Sequence, residues 1–171
     1  MPKLLLFSDL HVNSGSEHTC FEVLNAVLEH AHRLDATVCF LGDWWDHVYR
    51  NGTLQTDMQN RFIRFFSEKW DVPTLMIPGN HDYCDASEKE HGMTAFKYAS
   101  SHLTIFEVPT VHDNVLWIPW RRKHDDLITA LNTGGEIKCI FGHFDIVGAL
   151  LNNTKVSEEG LRPAEFPPNI P

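Results

Sequence analysis

Short apolar runs alternate with segments of helical periodicity along the chain, and this alternation constrains the fold more than any other feature. It is typical of βα units that build a sheet with parallel strands. The pattern predicts six strands, at residues 4–7, 37–41, 74–77, 103–106, 115–118 and 137–141. Several of them are apolar at nearly every position, so we expect strands that are buried on both faces.

Three segments between these runs predict helices. The first begins near Thr19, where Thr19 and Glu22 can form a capping box. The second covers residues 56–69 and the third covers residues 125–132. The order of strands and helices therefore predicts an α/β fold.

Length and composition predict one globular domain. The chain has 171 residues, of which 43% are hydrophobic and 22% are charged, as in ordinary soluble proteins. We expect a single domain over residues 1–171, whose tail, residues 157–171, is loop-like and incomplete because it holds four prolines and no strand follows it. The first apolar run is too short for a leader peptide or a membrane span, so we expect a cytoplasmic protein without membrane contact.

Charge and cysteine content exclude other classes of protein. The four cysteines are scattered without a Cys-x-x-Cys pair, which argues against a disulfide framework and a structural zinc knuckle. The formal net charge of −9 excludes a broad basic surface for non-specific nucleic-acid binding. It leaves open an enzyme that meets phosphate groups through metal ions, because bound cations invert the local charge.

Ligand-type side chains follow four of the predicted strands. They are Asp9 and His11 after the first strand, Asp43 and Asp46 after the second, Asn80, His81 and Asp82 after the third, and His143 after the sixth. The carboxyl ends of parallel strands meet at one edge, so we expect these side chains in one crevice. Carboxylate, amide and imidazole ligands suit manganese, iron or zinc better than magnesium alone. A carboxylate that bridges two metals about 3.5–4 Å apart can help to clamp a phosphate.

These motifs, in this order, resemble the calcineurin-like metallophosphoesterases. The shared segments are Asp-x-His at Asp9, Gly-Asp-x-x-Asp at Asp43, Gly-Asn-His-Asp at Asn80 and Gly-His at His143. The resemblance covers essentially the whole chain. It implies a four-layer α/β/β/α sandwich with a site for two divalent metal ions on its rim.

The resemblance also implies a role for each ligand-type residue. Asp9 and His11 bind the first metal, Asn80 and His143 bind the second, and Asp43 bridges the two. His81 contacts the phosphate and protonates the leaving oxygen, which suits a histidine near neutral pH. Two further carboxylates orient the ligands: Asp46 and Asp82. Trp44 and Trp45 are expected in the wall or core. Gly42, Gly79 and Gly142 each precede a ligand, where close approach of the backbone is useful.

The sequence departs from the family pattern at its end. The family's last motif, Gly-His-x-His, is absent, and no histidine follows His143. Either the chain is a fragment of a longer protein, or its site is incomplete and binds metal weakly. The expected fold is therefore a sandwich that is truncated at its carboxyl end.

Within the family, the chain resembles the nuclease branch, which includes SbcD-like enzymes of DNA repair and phage recombination nucleases. The similar segments are residues 42–46, the Trp-containing residues 116–120, and the loop from Gly148 to Gly160-Leu161. The resemblance implies a Mn²⁺-dependent exo- or endonuclease that uses a metal-bound hydroxide on DNA ends, with Fe²⁺, Zn²⁺ or Mg²⁺ as alternative metals. It also implies an SbcC-like ATPase partner and a homodimer.

Two other functions stay open at this point. The same fold can carry a phosphatase or a small-molecule phosphodiesterase, because function depends on the site and its surroundings. A non-catalytic binding module is the third interpretation, if the chain ends naturally at Pro171.

The remaining basic residues and histidines have weaker interpretations. Arg121, Arg122 and Lys123 form the one basic triplet, which can touch a DNA backbone or simply face solvent at a helix entrance. Histidines outside the motifs are expected at the surface: His91, His102, His112 and His124.

Overall fold

The computed structural model describes residues 3–48, 55–150, 154–168 and 170. Part of the polar stretch after Gly148, residues 151–153, and residues 169 and 171 of the tail lie outside this description. Seven strands are present in the described residues: β1 (Lys3–Phe7), β2 (Ala36–Phe40), β3 (Thr74–Met76), β4 (Leu103–Ile105), β5 (Thr110–His112), β6 (Val115–Ile118) and β7 (Cys139–Gly142). The helices are α1 (Glu17–Leu34), α2 (Thr56–Lys69) and α3 (His124–Leu131), with 3₁₀ helices at Thr94–Tyr98 and Pro163–Glu165.

The strands form two sheets. The first has the order β1-β2-β3-β4 with all pairs parallel, and the second has the order β5-β6-β7. In the second sheet, β5 pairs with β6 antiparallel and β6 pairs with β7 parallel. The carboxyl ends of β1, β2 and β3 therefore lie at one edge of the first sheet, and those of β6 and β7 at one edge of the second.

Alternate residues of the central strands enter different hydrophobic clusters, and this alternation defines four layers. Val38 and Phe40 of β2 pack with α1 and α2, whereas Cys39 faces Trp117 of the second sheet. Leu116, on the opposite face of β6, packs with α3. The chain is thus an α/β/β/α sandwich, as the resemblance implies.

The predicted elements agree closely with the structure where apolar spacing is strong. The helix predicted at residues 56–69 and the strand predicted at residues 115–118 have the observed bounds. α1 begins at Glu17, two residues before the predicted start, and the predicted capping box at Thr19 is wrong because Ser16 is the N-cap. The turn before it is closed by Asn13, whose side-chain oxygen accepts hydrogen bonds from the backbone N–H groups of Gly15 and Ser16 at 2.8 and 3.0 Å.

Two other expectations need correction. The sequence does not predict strand β5, which has three residues and pairs, within the described residues, with β6 alone. Burial on both faces holds for β2, but not for β1, where Leu4 and Leu6 are 38% and 44% exposed. β1 is the terminal strand of its sheet, and one of its faces is left open by the described residues. None of the described helices is long and apolar enough to cross a lipid bilayer.

Candidate metal centre

The loops after β1 and β2 hold each other in place. The backbone N–H of Asp9 donates to the carbonyl of Gly42 at 3.0 Å, and that of His11 donates to the carbonyl of Asp43 at 3.1 Å. Asp9, His11 and Asp43 all have left-handed backbones, with φ of 57°, 46° and 61°. Left-handed non-glycine residues are uncommon and persist where the surrounding structure imposes them. The chain therefore maintains strained backbone at three of the predicted ligands.

Asp82 anchors the two loops that carry Asp43 and Asn80. Its side chain is buried and accepts three hydrogen bonds from the backbone N–H groups of Asp43, Trp45 and Gly79, at 3.0, 2.9 and 2.8 Å. Burial raises the pKa of the Asp82 carboxyl to about 6, the hydrogen bonds oppose this rise, and the charge of Asp43 adds to it. Asp82 thus holds the loops of Asp43 and Gly79 together, and its role in orienting metal ligands stays a prediction.

Two glycines make the close approach of these loops possible. A Cβ atom on Gly79 would lie 2.1 Å from Oδ1 of Asp43, and one on Gly42 would lie 2.4 Å from Nδ1 of His143. Gly42 also has φ of 101°, a conformation that suits glycine. At both positions the expectation of close backbone approach is confirmed.

The carboxylate of Asp43 lies between two groups of ligand-type atoms. Its Oδ2 is 3.8 Å from Nε2 of His11 and 3.5 Å from Nε2 of His143. Oδ1 of Asp9 lies 3.6 Å from the same His11 nitrogen, and Oδ1 of Asn80 lies 2.9 Å from the same His143 nitrogen. Asp9 and His11 therefore form one group, Asn80 and His143 form another, and Asp43 is shared.

The environment of His143 selects the nitrogen that faces this centre. Its Nδ1 is 2.8 Å from the carbonyl oxygen of Leu41, which can only accept, so Nδ1 carries the proton and Nε2 points toward Asp43. Burial lowers the pKa of His143, but the hydrogen bond and charge of Asp43 and the carbonyl of Leu41 outweigh it and raise the pKa to about 9. Burial raises the pKa of Asp43, yet His143 and the backbone N–H of His81 hold it below its ordinary value.

Asp46 and His81 lie on the other side of the His11 ring. Oδ1 of Asp46 is 3.8 Å from Nδ1 of His11, and the rings of His11 and His81 meet edge to face with centroids 4.8 Å apart. Nδ1 of His81 hydrogen-bonds to the backbone carbonyl of Asp46, and Nε2 of His81 is 3.9 Å from Oδ2 of Asp43. His81 therefore presents Nε2 to the centre.

Two overlapping clusters of these residues, which share His11, are each suited to holding a divalent cation. The ligand atoms of Asp9, His11 and Asp43 lie within 4.8 Å of one another, as do those of His11, Asp46 and His81. Among the described residues, the groups within 4.0 Å of the Asp9, Asp43 and Asp46 carboxylates that can carry positive charge are all histidines. Nδ1 of His11 is buried and has no hydrogen-bond partner among the residues that the structure describes. Carboxylate, amide and imidazole atoms of this kind match the preferences of manganese, iron and zinc.

Comparison with known proteins agrees with this geometry. Residues 2–168 match the family model described as calcineurin-like phosphoesterase. The chain belongs to the calcineurin-like phosphoesterase family. It is a metal-dependent phosphoesterase, and its α/β/β/α layers are those that the motifs predicted.

Two other comparisons add less. A search of the curated proteins finds no significant match. Among solved structures, this phosphoesterase is similar to the nuclease MPE of Pseudomonas putida. The two are 16% identical, the match covers 96% of this chain and 75% of that chain, and the TM-score is 0.43.

Two histidines outside the predicted ligand set also have defined contacts in the phosphoesterase. His47 stacks on His81, with ring centroids 4.3 Å apart. His91, expected at the surface, is 4% exposed, and its Nε2 is 2.8 Å from Oε1 of Glu107. His91 has no motif context, and its partner lies far along the chain. Trp44 and Trp45 lie in the core, as expected.

The basic triplet divides into three different roles. The Arg121 guanidinium donates to Oη of Tyr83 at 2.9 Å and to the carbonyls of Trp120 and Glu107 at 2.8 and 2.7 Å. Arg122 lies over the ring of Trp120, and Lys123 precedes α3. Arg121 is therefore structural, so the triplet as a whole is not a solvated helix entrance.

Proposed function

We propose that this chain is a dinuclear, Mn²⁺-dependent phosphodiesterase that cleaves DNA at or near its ends. The observation that carries the proposal is the position of Asp43, whose Oδ2 lies 3.8 Å from His11 and 3.5 Å from His143. One carboxylate oxygen between two separate ligand groups is the arrangement that a bridged metal pair requires.

Each residue has a definite task in this proposal. Asp9 and His11 would hold one cation, Asn80 and His143 would hold the other, and Asp43 would be shared between them. When bound, the two cations supply Lewis acidity to the phosphoryl oxygens and make a water nucleophile available near neutral pH. Asp82 fixes the loops of Asp43 and Gly79, and Asp46 flanks His11.

His81 is proposed as the general acid. In its protonated form, the ring keeps its Nδ1–H on the carbonyl of Asp46 and gives its Nε2 proton to the leaving oxygen. The same ring orientation directs Nε2 toward Asp43 and hence toward the reacting phosphate. Stacking against His47 supports this orientation from the side.

DNA is proposed as the substrate because segments 42–46 and 116–120 resemble those of nucleases. A small phosphoester is the second candidate, favoured by the net charge of −9, which disfavours long polyanions away from the metal centre. An SbcC-like ATPase and a second copy of the chain stay predictions of the resemblance; co-purification of the ATPase and sedimentation of the chain alone test them.

The decisive experiment incubates end-labelled linear duplex DNA and bis(p-nitrophenyl) phosphate with the protein and Mn²⁺ at the same ionic strength. The wild-type chain is expected to degrade the DNA, whereas Asp43→Asn is inactive and Asp126→Asn, an exposed carboxylate on α3, keeps full activity. Equal degradation by wild type and Asp43→Asn, or none by either, overturns the proposal. Hydrolysis confined to the small diester selects the second candidate.

A further inference from the structure

A cavity of about 560 Å³ has in its wall Phe144 and Asp145, the two residues that follow His143 in the chain. Its size lies within the range of about 300–1,000 Å³ typical of small-ligand sites. Its walls include Trp120, Arg122, Arg162, Asp145, Glu158 and Glu159. The backbone N–H of Trp120 donates to the carbonyl of Pro78 at 3.0 Å, and the backbone N–H of His143 donates to that of Ile118 at 3.1 Å. Backbone hydrogen bonds therefore join the segment that ends at Trp120 to both loops that carry the ligands of the proposed second metal.

Trp120 differs from the other tryptophans of the chain. Trp44, Trp45, Trp70 and Trp117 are at most 3% exposed, whereas Trp120 is only partly buried and lines the cavity. Tyr83 lies beside it, with ring centroids 5.9 Å apart. An accessible indole held in this way is a suitable surface for a planar ligand to stack on.

Two guanidinium groups accompany this ring. Arg122 lies over one face of the Trp120 ring, 5.5 Å from its centroid, so a stacked ligand uses the other face; Arg162 lines the same cavity. Within the described part of the chain, Arg122 and Arg162 form no ion pair within 4.0 Å, although the charge of Arg162 helps to lower the pKa of the Glu165 carboxyl. Both guanidinium groups therefore have donors for an anion. Arg121 is different, since Tyr83, Trp120 and Glu107 already occupy its donors.

The cavity also has carboxylates, which limit the class of ligand. Asp145, Glu158 and Glu159 repel a ligand that is purely anionic, such as inorganic phosphate or an acidic peptide. A nucleotide carries an anionic phosphate and a planar base. Cytosine, adenine and guanine also carry amino groups, which can donate hydrogen bonds to carboxylates. A nucleotide therefore matches all three kinds of group in the cavity.

We infer that this cavity binds one nucleotide of a single-stranded DNA segment next to the phosphate held at the metal centre. The base stacks on Trp120, and the phosphate backbone contacts Arg122 and Arg162. The carboxylates of the cavity accept hydrogen bonds from the amino group of the base. This inference rests on the proposed function, since it concerns the substrate of the same site. It adds a contact for unpaired strands, which DNA ends supply.

Binding is measured on the metal-free protein, in EDTA, with a short oligodeoxycytidylate. Because the other tryptophans are buried, we expect saturable quenching of the fluorescence of Trp120. Anisotropy of the labelled oligonucleotide then compares variants. Trp120→Ala is expected to weaken binding at least about fivefold, as stacking on one aromatic ring predicts, whereas Trp120→Phe keeps most of the affinity.

Two substitutions that each remove one positive charge, Arg122→Gln and Lys123→Gln, test the role of the Arg122 guanidinium. Arg122→Gln is expected to weaken binding and to reduce the salt dependence, log Kd against log salt concentration, by about 0.7. Lys123→Gln removes the same charge one residue away, outside the cavity wall, and is expected to bind as wild type. Oligodeoxycytidylate is expected to bind more tightly than oligothymidylate, because thymine lacks an exocyclic amino group.

The outcomes separate this inference from the proposed function. Absence of saturable quenching, equal affinity of wild type and Trp120→Ala, or equal weakening by Arg122→Gln and Lys123→Gln overturns the cavity as a nucleotide subsite. If Mn²⁺-dependent hydrolysis persists in that case, the proposed function stands alone. If the oligonucleotide binds as expected but no DNA is cleaved with Mn²⁺, the subsite stands and the proposed nuclease activity fails.

Discussion

The side chain of Asp82 accepts a hydrogen bond from the backbone N–H of Asp43 at 3.0 Å, although 39 residues separate them. The same carboxylate accepts from Trp45 and Gly79, so it closes two loops around one buried acceptor. The position of the shared carboxylate of Asp43 thus depends on a buried residue outside the predicted ligand set. This dependence can be tested without measuring catalysis.

Replacing Asp82 separates hydrogen-bond acceptance from charge. Asp82→Ala leaves three buried N–H groups without an acceptor, at about 1–3 kcal/mol each, so we expect the free energy of unfolding to fall by at least about 3 kcal/mol. Asp82→Asn keeps one oxygen acceptor and removes a charge that burial disfavours, as the pKa of about 6 indicates. We expect Asp82→Asn to lower the free energy of unfolding by less than half as much as Asp82→Ala does, as measured by urea unfolding at neutral pH. Equal losses in both variants contradict the hydrogen-bond account.

The grouping of ligands predicts which metal each substitution removes. His11→Ala is expected to abolish one of two Mn²⁺ binding events and His143→Ala the other, because these residues lie on opposite sides of Asp43. Asp43→Ala is expected to weaken both events by more than about tenfold, since even residues that only orient ligands contribute about that much. Isothermal titration calorimetry with Mn²⁺ measures both events.

The controls for this experiment are exposed histidines. His102→Ala and His112→Ala remove imidazoles outside the centre, and both are expected to bind Mn²⁺ as wild type. A single binding event in the wild-type chain, or loss of the same event in His11→Ala and His143→Ala, contradicts the division into two groups.

A glycine pair tests the close approach of the loops. A Cβ on Gly79 would overlap Oδ1 and the backbone nitrogen of Asp43, at 2.1 and 2.4 Å, so Gly79→Ala must displace Asp43. We expect Mn²⁺ affinity to fall more than about tenfold, as for other residues that position ligands. No atom of the described residues lies within 4 Å of a Cβ built on Gly134, so Gly134→Ala is expected to bind Mn²⁺ as wild type. The same calorimetric titration compares them, and an unchanged affinity in Gly79→Ala contradicts the packing argument.

The sequence predicts those parts of the molecule that depend on local spacing. The apolar positions of α2 determine its length, and the buried run of β6 determines both ends of that strand. The ligand-type residues follow strands whose parallel order brings their carboxyl ends together, so the proximity of Asp9, Asp43 and Asn80 follows from topology.

What sequence reasoning missed depends on contacts between distant residues. Arg121 is structural because Tyr83 and Glu107 accept from it, and neither residue is near it in sequence. The cavity beside Trp120 needs both the 120–127 segment and the 158–162 segment to form its walls. Hydrophobic periodicity does not predict contacts between distant segments, because the pattern specifies which face of an element is buried but not which residues cover it.

The burial of His91 predicts a loss of stability at mildly acidic pH. Burial lowers the pKa of His91, and the hydrogen bond and charge of Glu107 oppose this effect without cancelling it. As pH falls through the ordinary histidine value of about 6.5, the unfolded chain takes up a proton before the folded chain does. The contribution of neutral His91 to the free energy of unfolding is therefore fully present above about pH 6.5, and it is lost as the pH falls toward the lower pKa of His91 in the folded state.

The prediction is tested by comparing variants rather than by the wild-type curve alone, because His143 and Glu107 titrate as well. We expect the unfolding free energy of wild type, measured by urea in EDTA, to fall between pH 7 and 5 relative to His91→Gln, which keeps a donor for Glu107. His102→Gln, at an exposed histidine, is expected to follow wild type throughout. Parallel curves for wild type and His91→Gln over this range contradict a buried, neutral His91, because a histidine with an unchanged pKa contributes no slope.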